Sequence, residues 1–163
     1  MAIQQKLEQK LGEVLGLEMA AQKAVEELSA KGLLEEAGVE AQMEGMKQEA
    51  NNHQKRIEEL VETLSKSEGL DSQNVQESAK ETQQKASQMM NIYLGEDPDP
   101  SEAIDFLGLA EGGEVLHYEA LNTMAQGLGN TQASDTVQSI LEEEKKHLMS
   151  CIQLVRQNAS SST

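Results

Sequence analysis

Apolar residues recur at steps of three and four along most of this chain, which is the spacing of one face of an α-helix. The first stretch shows the pattern at Leu7, Leu11, Val14, Ala21, Val25 and Leu28. Only two prolines occur in 163 residues, Pro98 and Pro100, so almost nothing in the chain interrupts helix formation. No convincing run alternates apolar with polar residues, as a half-buried strand would. The sequence therefore predicts an all-α fold.

Start and stop signals divide the pattern into four strong helices and one weaker helix. Lys31 and Gly32 end the first strong helix with a cation and a glycine. After the second strong helix, Asp71 and Ser72 begin the weaker one, near residues 73–94.

The segment GEDPDPSE, residues 95–102, is the clearest break in the chain. We expect Ser101 to be the N-cap of the helix that follows, and Gly112 with Gly113 to bend or interrupt that helix. Its predicted apolar face consists of Phe106, Leu109, Leu116, Ala120 and Met124. Gly129 ends the helix, and the last strong helix follows.

Two hairpins of strong helices are therefore joined through the weaker helix. Such a connection gives a four-helix bundle with a long crossover that contains an additional helix. We predict one domain over residues 1–157, followed by a flexible polar tail over residues 158–163.

Charge and apolar content exclude several classes of partner. A formal net charge of −16 argues against nucleic-acid binding, which needs a basic surface, and against anionic membranes. No apolar run approaches the roughly 20 residues of a membrane span, and the N-terminus lacks the apolar segment of a secretory signal. Cys151 is the single cysteine, which fits a reducing compartment. We expect a cytoplasmic protein.

Each of the three histidines lies one helical turn after a glutamate. The pairs are Glu49–His53, Glu114–His117 and Glu144–His147. Side chains three or four residues apart share a helix face, so each pair could hold one metal ion. This coincidence suggests metal binding.

Four polar residues stand where the helical pattern demands apolar ones. They are Glu18, His53, Glu144 and His147, on three different helices. An unpaired carboxylate in a bundle core is costly, and a metal ion removes that cost. Carboxylates with imidazoles suit iron, manganese or zinc. The alternative is structural: Glu18 lies at a wet end of the bundle or pairs with a lysine, and His53 is a hydrogen-bonded core histidine.

This arrangement resembles the di-iron carboxylate proteins of the ferritin-like superfamily, and more narrowly their YciF/YciE-like stress-protein branch. The resemblance is carried by EANNHQKRIEEL at residues 49–60, DPSEAIDFLGLA at residues 99–110, HYEAL at residues 117–121 and LEEEKKHL at residues 141–148. It covers residues 14–155 and implies a ferritin-like four-helix bundle.

The resemblance also implies a set of metal ligands. Its members are Glu18 on the first helix, Glu49 and His53 on the second, Glu119 on the third, and Glu144 and His147 on the last. Glu143 stands four residues before His147, so it competes with Glu144 for the last carboxylate position.

The chain departs from the superfamily pattern at two places. Glu49 and His53 are four residues apart where three is usual, so Glu49 would bridge two ions less directly. Leu116 stands where the branch has a glutamate, which removes one candidate ligand. Glu114 and His117 lie nearby on the same helix and form a reserve pair of ligands.

Two residues close to these motifs are expected to have ordinary roles. Tyr118 is predicted to pack in the bundle rather than to act as a redox-active phenol or a hydrogen-bonding partner of the site. Cys151 is predicted to be a small buried hydrophobic residue rather than a nucleophile.

The resemblance implies a stress-protection protein that binds two metal ions, iron in preference to manganese or zinc. It would oxidise Fe(II) with oxygen or peroxide, as a ferroxidase- or peroxidase-like oxidoreductase. The alternative, from a different class, is a metal-free helical bundle that acts as a stress or interaction protein. A homodimer built through exposed apolar helix surface is favoured over an iron-storing cage.

Overall fold

The computed structural model describes residues 2–161, and this part of the chain contains six α-helices and no strand. The helices are α1 (Ile3–Ala30), α2 (Leu33–Glu36), α3 (Glu40–Ser67), α4 (Ser72–Leu94), α5 (Pro100–Leu128) and α6 (Thr131–Ser161). The predicted all-α fold is confirmed. The four strong helices are α1, α3, α5 and α6, and the weaker helix is α4. The single-turn helix α2 has no counterpart in the prediction.

Local signals explain where several helices begin and end. Gly32 follows α1 with a φ of 75° and Gly129 follows α5 with a φ of 73°, a conformation that glycine adopts without a steric penalty. Asp71 caps α4, because its side chain accepts a hydrogen bond from the backbone N–H of Gln73 at 2.9 Å.

The predicted N-cap of α5 is wrong. The cap is Asp99 rather than Ser101, because Asp99 and Glu102 form a capping box. The Asp99 carboxylate accepts from the Glu102 backbone N–H at 2.8 Å, and the Glu102 carboxylate accepts from the Asp99 backbone N–H at 3.0 Å. Pro100 in the first turn needs no hydrogen-bond acceptor, which favours this register.

The last two helices are longer than the sequence signals suggest. α5 continues through Gly112 and Gly113 as one helix, so these glycines do not interrupt it. α6 extends to Ser161 and so includes part of the segment 158–163 that was predicted as a tail. Residues 162 and 163 lie outside the described residues.

The bundle is formed by α1, α3, α5 and α6. α1 packs against α3 and α5, and α6 packs against α5 and α3. α4, the crossover between α3 and α5, lies along α1 and makes its most extensive contact there. Over residues 2–161, no helix combines the length and the apolar character needed to cross a membrane.

Two glycines allow the close contact between α4 and α1. A Cβ atom on Gly12 would stand 2.5 Å from the carbonyl oxygen of Val75. A Cβ atom on Gly16 would stand 2.7 Å from the Cβ of Thr82, and closer still to the carbonyl oxygen of Ala79. A side chain at either position would push the helices apart, because neighbouring backbone cannot yield as a flexible side chain can.

Two apolar clusters fill the bundle, and a polar layer separates them. Central members of the first cluster are Leu11, Ile57, Tyr118 and Ile140, and those of the second are Leu28, Met43 and Phe106. On each of the four bundle helices, buried glutamates or histidines stand between the residues of the two clusters. The fold therefore brings polar side chains from four helices to one level of the core.

The inward face of α5 is the main error in the predicted core. Leu109 and Leu116, which the apolar pattern places inside, are 58% and 69% exposed. The residues that α5 buries are Ala103, Ile104, Phe106, Leu107, Glu111, Glu114, Tyr118, Leu121, Asn122 and Ala125. Because glutamates occupy this face at the level of the polar layer, apolar spacing indicates the wrong side of the helix.

Glu8 joins α1 to the start of α4, and we expect Glu8→Ala to be strongly destabilising. The buried Glu8 carboxylate accepts from the Asp71 backbone N–H at 2.8 Å and from the Asn74 side-chain amide at 2.9 Å. Removing it leaves both donors without this acceptor, so the free energy of unfolding should fall by about 2–3 kcal/mol in urea titrations.

Glu26→Ala provides the matched control for Glu8→Ala. Glu26 lies on the same helix and pairs with Lys47 at 3.3 Å, but its side chain is largely exposed. An exposed pair of this kind contributes at most about 1 kcal/mol. Equal losses from the two substitutions would contradict the role assigned to Glu8.

Candidate metal centre

The polar layer of the bundle brings together the four residues that interrupt the predicted apolar faces. Glu18 on α1, His53 on α3, and Glu144 with His147 on α6 are all buried. Glu114 on α5 is buried in the same layer. The helical period accounts for this arrangement, because each of these residues lies on the face that its helix turns inward.

Three of these residues form a first donor group. His53 Nδ1 lies 2.7 Å from Glu144 Oε1 and 3.2 Å from Glu18 Oε1. Tyr118 donates a hydrogen bond from its hydroxyl to the same Glu18 oxygen at 2.8 Å. The ligand atoms of Glu18, His53 and Glu144 all lie within 4.8 Å of one another, close enough to share one metal ion.

A second donor group lies beside the first and shares Glu144 with it. His147 Nδ1 lies 3.5 Å from Glu144 Oε2 and 3.9 Å from Glu111 Oε2. The ligand atoms of Glu111, Glu144 and His147 also lie within 4.8 Å of one another. Glu144 therefore presents Oε1 to one group and Oε2 to the other, as a carboxylate that bridges two ions would.

The second ring nitrogen of each histidine faces a carboxylate near the surface. His53 Nε2 lies 2.5 Å from Glu143 Oε2, and His147 Nε2 contacts Glu49 Oε2. The side chains of Glu143 and Glu49 are 41% and 58% exposed. Metal-binding histidines commonly donate their other N–H to a carboxylate, which fixes the ring orientation. Glu144 thus lies within the donor groups, whereas Glu143 and Glu49 lie outside them.

Burial and mutual repulsion control the charge of the carboxylates in the layer. Burial, followed by the charge of Glu144, raises the pKa of Glu18 well above its usual range. The same two causes raise the pKa values of Glu111 and Glu114. Burial alone would also raise the pKa of Glu144, but hydrogen bonds from His147 and His53 lower it below its usual range. The metal-free layer therefore concentrates its negative charge on the carboxylate that both donor groups share.

The neighbouring carboxylates also keep the two buried histidines protonated. Burial by itself would lower the pKa of His53, but its hydrogen bonds to Glu144 and Glu18 raise it to about 11. The pKa of His147 is raised by contacts with Glu144 and Glu49, again against the effect of burial. In the absence of a cation, protons take its place in the layer.

Four carboxylate oxygens in this layer are buried without a hydrogen-bond partner among the described residues. They are Glu18 Oε2, Glu111 Oε2, Glu114 Oε1 and Glu144 Oε2. Buried polar atoms are nearly always satisfied, so such a cluster requires an explanation. Carboxylate oxygens with two imidazole nitrogens match the donor preference of iron, manganese or zinc. The residues present therefore fit a pair of metal ions.

The structure does not bring every predicted ligand to this layer. Glu119 is half exposed and pairs with Lys145 at 2.7 Å. Successive helical residues are about 100° apart, so the inward position of Tyr118 turns Glu119 away from the core. His117 is one-third exposed and lies against Lys10 and Glu13 on α1, outside both donor groups. Glu119 and His117 therefore lie outside the two donor groups.

Glu111 is the residue of the donor groups that sequence reasoning missed. Glu111, Glu114 and Tyr118 follow one another at steps of three and four, so the signal of a common face is present. Leu109 and Leu116 indicate a different face, because apolar periodicity takes account of hydrophobic residues alone.

Tyr118 and Cys151 both lie close to the donor groups. Tyr118 packs in the core as predicted, but its hydroxyl also hydrogen-bonds Glu18, so packing is only part of its role. Burial, and then the charges of Glu111 and Glu144, raise the pKa of the Cys151 thiol to about 12. A protonated, buried thiol is a poor nucleophile, which agrees with the prediction for Cys151.

We expect the metal-free protein to lose stability as the pH rises from 5 to 8. The raised pKa values of Glu18, Glu111 and Glu114 stabilise the fold fully below pH 4.5 and progressively less as the pH rises through the folded-state values. His53 adds a loss above pH 6.5. The lowered pKa of Glu144 acts only below pH 4.5 and does not oppose this trend.

The slope should approach about 1.4 kcal/mol per pH unit for each extra proton that the folded chain holds. Urea unfolding of the metal-free protein at several pH values measures it directly. Glu114→Gln should reduce the slope, because it removes one of the groups that titrate. Stability that is constant or rises over this pH range would show that the layer holds no extra protons.

Comparison with known proteins places the chain in a family. No curated protein and no solved structure shows significant similarity to it. Residues 2–163 match the family described as a domain of unknown function, DUF892. The match spans almost the whole chain, including all the helices that supply the polar layer. The chain therefore belongs to the DUF892 family, which is part of the ferritin-like superfamily.

Proposed function

We propose that this protein is a non-haem di-metal protein, with iron as the preferred metal, in the YciF/YciE-like stress-protein branch of the superfamily. It would bind two Fe(II) ions in the polar layer and oxidise them with oxygen or peroxide, in the reducing interior of the cell. The observation that supports the proposal most strongly is the position of Glu144, whose two oxygens belong to two adjacent donor groups.

A few side chains from the four bundle helices would hold the two metal ions. Glu18 and His53 would hold one ion, Glu111 and His147 the other, and Glu144 would bridge them. Glu114 supplies a further buried oxygen in the same layer. When bound, two Fe(II) ions supply the two electrons that reduce one peroxide to water.

Other residues would keep these ligands in position. The Tyr118 hydroxyl hydrogen-bonds Glu18 Oε1 and so restricts the rotation of that carboxylate. Glu143 and Glu49 hold the outer nitrogens of His53 and His147, so that Nδ1 of each ring faces inward. Rings fixed in this way lose little freedom on binding a metal, which favours affinity.

A second candidate is a metal-free bundle that acts as a stress or interaction protein. It is favoured by the fact that both nitrogens of His53 and of His147 already face carboxylates. Protonated imidazoles could then neutralise the layer without a metal. The unpartnered carboxylate oxygens favour the di-metal protein over this candidate.

Metal uptake by the purified, metal-free chain separates the two candidates. Anaerobic titration with Fe(II) should reach about two ions per chain, the number of donor groups that the layer provides. Glu144→Gln should abolish uptake at both positions, because both share this residue. Glu142→Gln, an exposed neighbour on α6, should bind metal as the unaltered chain does.

Oxidation is then followed by absorbance after air or hydrogen peroxide is added. The unaltered chain should oxidise bound Fe(II) faster than Glu144→Gln does, and Glu142→Gln should match the unaltered chain. If the unaltered chain took up no iron, manganese or zinc, the di-metal proposal would be wrong. The metal-free bundle would then be the remaining candidate.

A further inference from the structure

A second feature, separate from the donor groups, is a partly open cavity of about 200 Å³ between α1, α4 and α5. Its walls contain many small residues, which are Ala20, Ala21, Ala24, Ala86, Ala110 and Gly113. Three helices thus face one another with alanine and glycine where larger side chains would fill the core. The space between the helices stays empty because the side chains of alanine and glycine are too small to fill it.

Larger apolar side chains complete the cavity. Phe106 and Met90 are buried in its lining, whereas Met89 and Leu109 are exposed. Exposed large apolar residues are common singly, but these two line the same cavity. Methionine and phenylalanine side chains make favourable contacts with aromatic rings. The lining therefore suits a small aromatic molecule.

Glu114 gives this apolar cavity one buried polar group. Its side chain lines the cavity and is almost fully buried. Ligand pockets typically combine apolar walls with a few placed polar groups that orient the ligand. A ligand that donates a hydrogen bond would be oriented by the Glu114 carboxyl group.

The other polar residues at the cavity are less suited to orient a ligand. His117 already contacts Lys10 and Glu13, and Lys23 is exposed to solvent. The carboxyl groups of Glu18, Glu111 and Glu144 lie in the same layer as Glu114. An anionic ligand would lose its hydration among the apolar walls and would lie near the ionised Glu144, so the ligand should be neutral.

We propose that this cavity binds a small neutral phenol, with the ring among Phe106 and the methionines and the hydroxyl donating to Glu114. The volume agrees, because an apolar cavity of about 150 Å³ can hold benzene. Binding of the phenol does not depend on the proposed function.

The test uses the metal-free chain with ¹³C-labelled alanine methyl groups, titrated with phenol and followed by NMR. Methyl signals of Ala20, Ala21, Ala24, Ala86 and Ala110 should shift together, whereas that of the exposed Ala41 should not. Toluene should bind about five- to tenfold more weakly, because it lacks one hydrogen-bond donor. Cyclohexanol should bind more weakly than phenol because it has no aromatic ring. Benzoate should bind more weakly because it is negatively charged.

Ala86→Leu fills the cavity from α4 and should weaken phenol binding at least about tenfold, whereas Ala41→Leu at an exposed site should not. α4 supplies no donor to the metal centre, so Fe(II) uptake by Ala86→Leu should equal that of the unaltered chain. Phenol binding without metal uptake would leave this proposal standing while the proposed function fails. Unshifted methyl signals, an affinity unaffected by Ala86→Leu, or equal affinities for phenol and toluene would overturn it.

Discussion

Glu18→Gln should make the metal-free protein more stable and should remove much of the stability that metal binding adds. Glu18 is fully buried, and burial together with Glu144 raises its pKa, so ionising it at neutral pH is costly. A neutral amide avoids this cost while it can still accept the hydrogen bond from Tyr118. The free energy of unfolding of the metal-free protein should rise by about 1–3 kcal/mol.

In the presence of metal, Glu18→Gln should instead reduce the stability that the protein gains from metal binding. A ligand at 100 times its dissociation constant stabilises the folded state by about 2.7 kcal/mol per site, and Glu18→Gln removes a donor from one of the two sites. The gain in stability on adding metal should therefore be smaller by about 3 kcal/mol than in the unaltered chain. Mn(II) is suited to this measurement, because it binds to the same donor types without being oxidised in air.

Urea unfolding at pH 7.5, with and without Mn(II), measures both the stability of the metal-free protein and the gain in stability on adding metal. Glu26→Gln is the control, because Glu26 lies on the same helix, has a largely exposed side chain and belongs to neither donor group. It should change neither value by more than about 1 kcal/mol, the most that its exposed ion pair with Lys47 contributes. A Glu18→Gln protein that gains as much stability from Mn(II) as the unaltered chain would show that Glu18 does not bind metal.

The parts of the centre on α1, α3 and α6 could be predicted because those helices are phased by apolar residues on both sides of the polar layer. Glu18, His53 and Glu144 each interrupt a face that is otherwise apolar, so the interruption is visible in the sequence. Burial of each of these residues follows from the 3.6-residue period alone, and the structure places all three in the core.

The part on α5 could not be predicted in this way. Its inward face carries Glu111, Glu114 and Asn122, whereas Leu109 and Leu116 face solvent. Apolar periodicity therefore indicates the wrong face, and the family resemblance implies Glu119 instead of Glu111. Leu109 lines the cavity between α1, α4 and α5 instead of the core.

Sequence spacing also could not separate donors inside the layer from carboxylates outside it. Glu143 and Glu144 both lie within one turn of His147, and Glu49 lies one turn before His53. The choice depends on the rotation of α3 and α6 about their axes by a fraction of a turn. Contacts among four helices determine that rotation, and no single helix encodes it.

Gly16→Ala and Gly12→Ala should each destabilise the protein by about 1–3 kcal/mol, although alanine is the better helix former. An added Cβ at either position would meet the backbone of α4, at Ala79 or at Val75, and the two helices would have to separate. α4 makes its most extensive contact with α1, so the separation would disturb the largest helix interface of the described chain.

Gly45→Ala is the matched control, because Gly45 lies inside α3, is exposed and has no atom close to the position of an added Cβ. There the same substitution should raise the free energy of unfolding by about 0.5–1 kcal/mol through helix propensity alone. Urea unfolding of the three variants therefore gives opposite signs for one chemical change. If Gly16→Ala stabilised the protein as Gly45→Ala does, α4 could not pack on α1 through these glycines. The crossover would then be held mainly at its N-terminal end, through Glu8 and the cap at Asp71.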